Sequence, residues 1–130
     1  MYTSPAPQTA RGAVTVPMLL QMKRNRQRIA TLTAYDASFA RAMDHAGIDA
    51  VLVGDSLGMV IKGGANTVSV GIDDMVYHSR CVAQGLQSAL LIADMPFQSY
   101  ATPERALDSA SALLSEGMAR RGARVTGIDL

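Results

Sequence analysis

A single cysteine, Cys81, stands in 130 residues, which excludes an internal disulfide framework and fits a reducing compartment. No apolar run approaches the ~20 residues that a membrane-spanning helix needs. Net charge is only +1, so no global electrostatic attraction to nucleic acid or to a membrane surface is expected. Histidine is equally sparse. His45 and His78 fall on separate helical segments with no second histidine at ligand spacing, which disfavours zinc. Gly58, Gly63 and Gly64 share a loop, but no G-K-[ST] opens a helix behind them. They fit neither a P-loop nor a dinucleotide fingerprint.

Acidic residues are missing from the start of the chain. Arg11, Lys23, Arg24, Arg26 and Arg28 all precede the first acid, Asp36. An Arg-rich, acid-free beginning can be a transit peptide, but no apolar h-region or cleavage-like site follows. The segment therefore reads as a loose leader over 1–14 and a short surface helix over 16–27. In that helix Met18, Leu19 and Met22 form an apolar stripe, and cations occupy the last turn.

With 48% hydrophobic and 18% charged residues, the rest is globular and long enough for one domain with its own core. Two apolar runs dominate it, each ending in an aspartate: Ala50-Val51-Leu52-Val53-Gly54-Asp55-Ser56 and Ala89-Leu90-Leu91-Ile92-Ala93-Asp94. Runs of this length without alternation suit parallel strands buried on both faces. In such sheets ligands sit outside the carboxyl ends of the strands. Asp55 and Asp94 are therefore candidates for holding a hard cation and an oxygen-rich substrate on one rim. An aspartate after a strand also serves commonly as the N-cap of the next helix, and Ser56 could be either a loop cap or a hydrogen-bond donor to substrate.

The remaining punctuation gives repeating β–α units. A strand is expected over 28–34, then a helix capped by Asp36 and stopped by Gly47, with Phe39, Ala42, Met43 and Ala46 at helical spacing. A second strand over 48–54 leads into a long loop, 56–71. Asp73 and Asp74 open a helix that Gly85 stops, and a third strand covers 88–93. Thr102-Pro103-Glu104 starts a further helix, to about Glu116, with Ala106, Ala110, Leu113 and Leu114 inward. His78 reads as a packed or solvent-facing imidazole, Cys81 as a small buried residue, and most of the eight methionines as core. The fold class is α/β. At about 30 residues per unit, three units and the start of a fourth amount to about half of a (β/α)8 barrel.

Several stretches together carry a specific resemblance. They are Thr31-Leu32-Thr33-Ala34-Tyr35-Asp36, Val53-Gly54-Asp55-Ser56-Leu57-Gly58-Met59, Asp73-Asp74-Met75-Val76-Tyr77-His78, Ala93-Asp94-Met95-Pro96-Phe97 and Ser99-Tyr100-Ala101-Thr102-Pro103-Glu104. In this order, over about 14–117, the chain resembles the ketopantoate hydroxymethyltransferases. The resemblance implies a TIM barrel of the phosphoenolpyruvate/pyruvate type, a cytoplasmic and multimeric enzyme of pantothenate biosynthesis, and no nucleic-acid or membrane partner. It implies Mg²⁺ held by Asp55 and Asp94, which with Ser56 also bind the substrate 3-methyl-2-oxobutanoate. The co-substrate it implies is 5,10-methylenetetrahydrofolate, whose one-carbon unit is added to the enolate of that acid to give 2-dehydropantoate.

The likeness fails near residue 117. The family's next strand carries a Lys-x-Glu pair, yet here no lysine follows Lys62 and no glutamate follows Glu116. Asp129 is a poor substitute, and the general-base glutamate implied by the resemblance belongs to a later part of the barrel. The expected organisation is thus a leader over 1–14, the N-terminal half of a β/α barrel over 15–117, and a divergent tail over 118–130 of the kind a truncation or frameshift produces. No catalytic residue is assigned within it. Two other readings are a non-catalytic, self-associating piece and a different 2-oxo-acid lyase or mutase of the same barrel superfamily.

Overall fold

The computed structural model describes residues 11–117 and 124–126. Asp129 and the first ten residues lie outside the described residues. Helix α1 (Val16–Arg24) is followed by β1 (Thr31–Thr33), α2 (Ala37–His45), β2 (Ala50–Val53), α3 (Leu57–Val60), α4 (Ile72–Gly85), β3 (Leu90–Asp94), α5 (Pro103–Ala112) and β4 (Arg124–Thr126). The four strands form one parallel sheet in chain order, each pair joined through a helix, which is an arc of a β/α barrel. Thr31 pairs with Ala50, Val53 with Ala93, and Asp94 with Thr126.

Local chemistry accounts for the helix starts. Asp36 accepts from the Phe39 amide at 2.9 Å, and Thr102 accepts from the Arg105 amide at 3.2 Å ahead of Pro103. Gly47 adopts φ +84° behind α2, as a left-handed C′ residue requires. Gly85 differs from its expected role: it is the last residue of α4, and its lack of a side chain serves packing. A Cβ there would collide with the Ala37 carbonyl and lie 2.8 Å from the Ala40 Cβ.

Strand alternation sorts the core. Val51, Val53, Leu91 and Ala93 point outward into a cluster with Ala40, Met75, Val82 and Leu113 from the helical layer. Ala50 and Leu90 face the other way, and Val14, Val16 and Leu19 pack against them at the amino ends of the strands. Helix α1 and the residues before it thus cap the bottom of the sheet. Val14 is buried, and Arg11 forms an ion pair with Asp49 at 3.0 Å, so two of the last four residues of the expected leader are held against the sheet while Gly12 and Ala13 are exposed.

Several expectations need correction. The two apolar strands are not buried equally on both faces: Leu52 and Ile92 are only half-buried, because no further strands cover the inner face among the described residues. β1 is short and exposed throughout. Phe39 is 64% exposed and Leu114 46%, while Ala40 and Leu113 take the inward positions. The loop after Ser56 contains the short α3, and α5 passes into a π-helical turn, Leu113–Gly117. Met75 and Met95 are core, but Met18 and Met59 are exposed, and Cys81 is a half-buried free thiol. Within the stretch read as a divergent tail, Arg124–Thr126 extends the sheet.

Candidate functional site

The carboxyl ends of β2 and β3 bring Asp55, Ser56 and Asp94 together. Because Val53 pairs with Ala93, the chain leaving β2 passes directly beside Asp94. Asp94 shares its face with Leu90 and Ile92, so its side chain rises on the inner face of the sheet. The Asp55 amide donates to Asp94 Oδ2 at 3.3 Å. Gly54 makes the approach possible: a Cβ there would lie 2.9 Å from Ser56 Oγ and 3.4 Å from Asp94 Oδ2.

The electrostatics of this corner favour a cation. Burial raises the Asp94 carboxyl above the usual carboxylate value, the Asp55 amide opposes that shift, and the Asp55 charge adds to it. Asp94 Oδ1 is buried and has no hydrogen-bond partner among the described residues. A buried acceptor left open beside a second carboxylate is the donor chemistry that a hard divalent ion completes. The residues present therefore fit Mg²⁺, which commonly takes one or two protein carboxylates and fills its octahedron with substrate and water. Among the described residues no set of three or more acidic, histidine or cysteine side chains converges, so protein ligands alone do not make a closed cage.

Sequence reasoning missed one participant. Tyr35, just beyond β1, places its hydroxyl 2.7 Å from Ser56 Oγ. His78 on α4, expected to be packed or solvent-facing, is half-buried, and its Nδ1–H donates to the Tyr35 carbonyl at 2.8 Å. The signal available beforehand was an aromatic residue at a strand end beside the Asp36 cap, which by itself specifies no partner. Asp44 and Asp49 were also missed, and both are structural. Asp44 accepts from the amides of Gln87, Ser88 and Ala89, while Asp49 accepts from Ala30 and Arg11.

Two open clefts flank the rim. One, about 340 Å³, runs from Val70–Ile72 to Pro96–Ser99 and Arg105. The other, about 320 Å³, is apolar and lined by Tyr35, Phe39, Met43, Val60 and Ile61 among others. Neither is lined by Asp55, Ser56 or Asp94. The strand where the resemblance implies Lys-x-Glu reads Arg124-Val125-Thr126 and lies alongside β3.

A parallel β/α sheet in chain order, with two aspartates at its carboxyl rim, defines an arc of a β/α barrel enzyme fold. Two solved structures share this fold. Oxaloacetate acetylhydrolase in complex with oxalate aligns with TM-score 0.59 at 20% identity, over 77% of this chain and 36% of that one. 2,3-Dimethylmalate lyase, itself a PEP mutase/isocitrate lyase superfamily member, aligns with TM-score 0.58 at 21% identity, over 79% and 36%. Residues 13–122 match the family described as ketopantoate hydroxymethyltransferase, and the chain belongs to that family. The 3-methyl-2-oxobutanoate hydroxymethyltransferase of Aeromonas salmonicida is 54% identical over 104 residues, 80% of this chain and 39% of its own length. That of Xylella fastidiosa (strain M12) is 57% identical over 103 residues, 79% and 38%. That of Alkalilimnicola ehrlichii is 54% identical over 120 residues, 92% and 43%. The chain spans about two fifths of the length of these curated relatives.

Proposed function

We propose that this chain carries the metal- and substrate-binding strands of an enzyme transferring a hydroxymethyl group from 5,10-methylenetetrahydrofolate to 3-methyl-2-oxobutanoate. The product is 2-dehydropantoate, a pantothenate precursor made in the cytoplasm by a homo-oligomer. The observation that carries the reading is the open, buried Asp94 Oδ1 beside Asp55 on the strand rim, in a chain of this family. Asp55 and Asp94 hold Mg²⁺ and, with Ser56, orient the 2-oxo acid. When bound, Mg²⁺ supplies Lewis-acid stabilisation of negative charge developing on the keto oxygen. Ser56 donates a hydrogen bond to the acid, and half-burial of the aspartates strengthens each polar contact.

Proton removal from the carbon next to the ketone is assigned to none of these residues, because both aspartates are committed to the cation and the Ser56 hydroxyl to the acid. A chain that binds without turning over is the second reading, favoured by Arg124-Val125-Thr126 standing where a Lys-x-Glu strand is implied. A lyase or mutase is disfavoured: the lyase that shares the fold is only 21% identical, while the relatives at 54–57% are named hydroxymethyltransferases. Calorimetric titration of 3-methyl-2-oxobutanoate, with and without Mg²⁺, tests the proposal. Each ligand should strengthen the other, and Asp94→Asn should remove the coupling. Absence of coupling in the unmodified chain, or its survival in Asp94→Asn, would sink the proposal.

A further inference from the structure

Resting on the function proposed above, we propose that Tyr35 is a positioning residue that fixes the orientation of the Ser56 hydroxyl, with His78 as its brace. The links run across three elements. The His78 Nδ1–H on α4 holds the Tyr35 carbonyl at 2.8 Å, the two rings meet edge to face at 6.5 Å, and the Tyr35 hydroxyl lies 2.7 Å from Ser56 Oγ. Tyr35 and Ser56 are both half-buried, so this bond competes only partly with water.

The geometry does more than join β1 to β2. A serine hydroxyl has one proton and two acceptor sites, and an unrestrained serine spreads over three side-chain rotamers. Ser56 Oγ and Asp94 Oδ2 both border the space where a Gly54 Cβ would stand, so a carboxylate competes for the serine proton. Either hydroxyl can donate across this contact; with the serine proton given to the bound acid, the phenol is the donor, selecting one Ser56 rotamer and filling one acceptor site. The serine proton is then aimed at a carboxylate oxygen of the bound 2-oxo acid. Gly54 leaves the room for this, since a Cβ would lie 2.9 Å from Ser56 Oγ.

Tyr35→Phe removes only the hydroxyl and keeps the ring against His78. In the ligand-free 130-residue chain, Ser56 Hα–Hβ couplings measured by NMR should report one rotamer, and averaged values in Tyr35→Phe. With Mg²⁺ present, the Kd of 3-methyl-2-oxobutanoate should rise about three- to tenfold in Tyr35→Phe. The Kd of Mg²⁺ alone should not change. In a Ser56→Ala background Tyr35→Phe should add nothing, whereas a merely structural contact would give additive losses. Couplings already averaged in the unmodified chain, couplings unchanged in the variant, or additive losses would each overturn the assignment. If the unmodified chain binds no 2-oxo acid, the proposed function fails, while the couplings still decide the role of Tyr35. Should Tyr35→Phe not fold, the Tyr35 Cζ chemical shift decides instead. It should move in Ser56→Ala, and an unmoved shift overturns the pair.

Discussion

Replacing Gly85 by alanine sets two effects of opposite sign against each other. Gly85 closes α4 without left-handed backbone, which among the described glycines belongs to Gly47 and Gly63, so alanine should gain about 1 kcal/mol of helix propensity. The new methyl group, however, would meet the backbone of α2: the Ala37 carbonyl in direct collision and the Arg41 amide nitrogen at 3.0 Å, with the Ala40 Cβ at 2.8 Å. Backbone atoms in a packed helix pair cannot rotate aside, and overpacking of this kind costs about 1–3 kcal/mol, here at the upper end. The net expectation is a loss of about 2 kcal/mol, or a Tm about 8 °C lower for a domain of this size. Far-UV circular dichroism melts at one fixed protein concentration make the measurement. Gly12→Ala, where a Cβ meets nothing within 4 Å, is the neutral control. A Gly85→Ala chain melting at or above the unmodified temperature would show that Gly85 is a helix stop and that α2 and α4 do not approach as described.

Asp44→Ala removes the acceptor for three amides at the turn entering β3, at 3.1, 2.9 and 2.7 Å, and should cost about 2–4 kcal/mol in urea titrations; a loss near zero would mean that water replaces it freely. Asp74 is held below its ordinary pKa first by the Gly71 amide and then by Lys62. A depressed carboxyl contributes stability above its unfolded value of 3.8 and loses it as pH falls through the lower folded value. Asp74→Asn should therefore melt slightly below the unmodified chain at pH 7, by about 0.5–1 kcal/mol, with the gap closing in acid melts below 3.8; a gap that widens in acid would contradict the assignment. Asp94→Asn replaces a half-buried charge beside Asp55 and should raise Tm in metal-free buffer while abolishing the Mg²⁺-dependent rise that the proposed cation site predicts, and a lower metal-free Tm would contradict this. β1 is an exposed edge strand carrying Leu32 at 48% exposure, so the isolated polypeptide should self-associate in sedimentation runs and Leu32→Lys should reduce this; a monomer with a sharp melt would count against it.

Much of this architecture is written in local chemistry. Asp36 and Thr102 cap helices because a short side-chain oxygen reaches the amide three residues on, a relation contained within four residues of sequence. The apolar runs before Asp55 and Asp94 specify strands because β-branched and aliphatic residues without polar interruption have little use elsewhere in a parallel sheet. Those two features placed both aspartates on a common rim, and the motifs around them carried the family resemblance over about 14–117, within the 13–122 that match the family. Periodicity was less reliable at half-covered faces. Phe39 and Leu114 lie at helical spacing yet point to solvent, because the stripe that is buried depends on which neighbours a helix meets.

Only the tertiary structure decided the long-range polar contacts. Asp44 reaches residues 43 to 45 positions away, His78 reaches Tyr35 across 43, and Tyr35 meets Ser56 across 21. Each carboxylate, carbonyl or hydroxyl has many possible partners in the chain, and nothing in its own neighbourhood selects one. The sheet register and the packing of α2 against α4 make that selection, since they set which atoms stand within 3 Å of one another. The sequence by itself thus determined the first three strands, the Asp36 and Thr102 caps and the two rim aspartates through local propensity and apolar patterning, while the pairing of Arg124–Thr126 with β3 came from the tertiary structure. The register decided that Asp94 would be left with an open oxygen beside Asp55, and that Tyr35 would stand over Ser56.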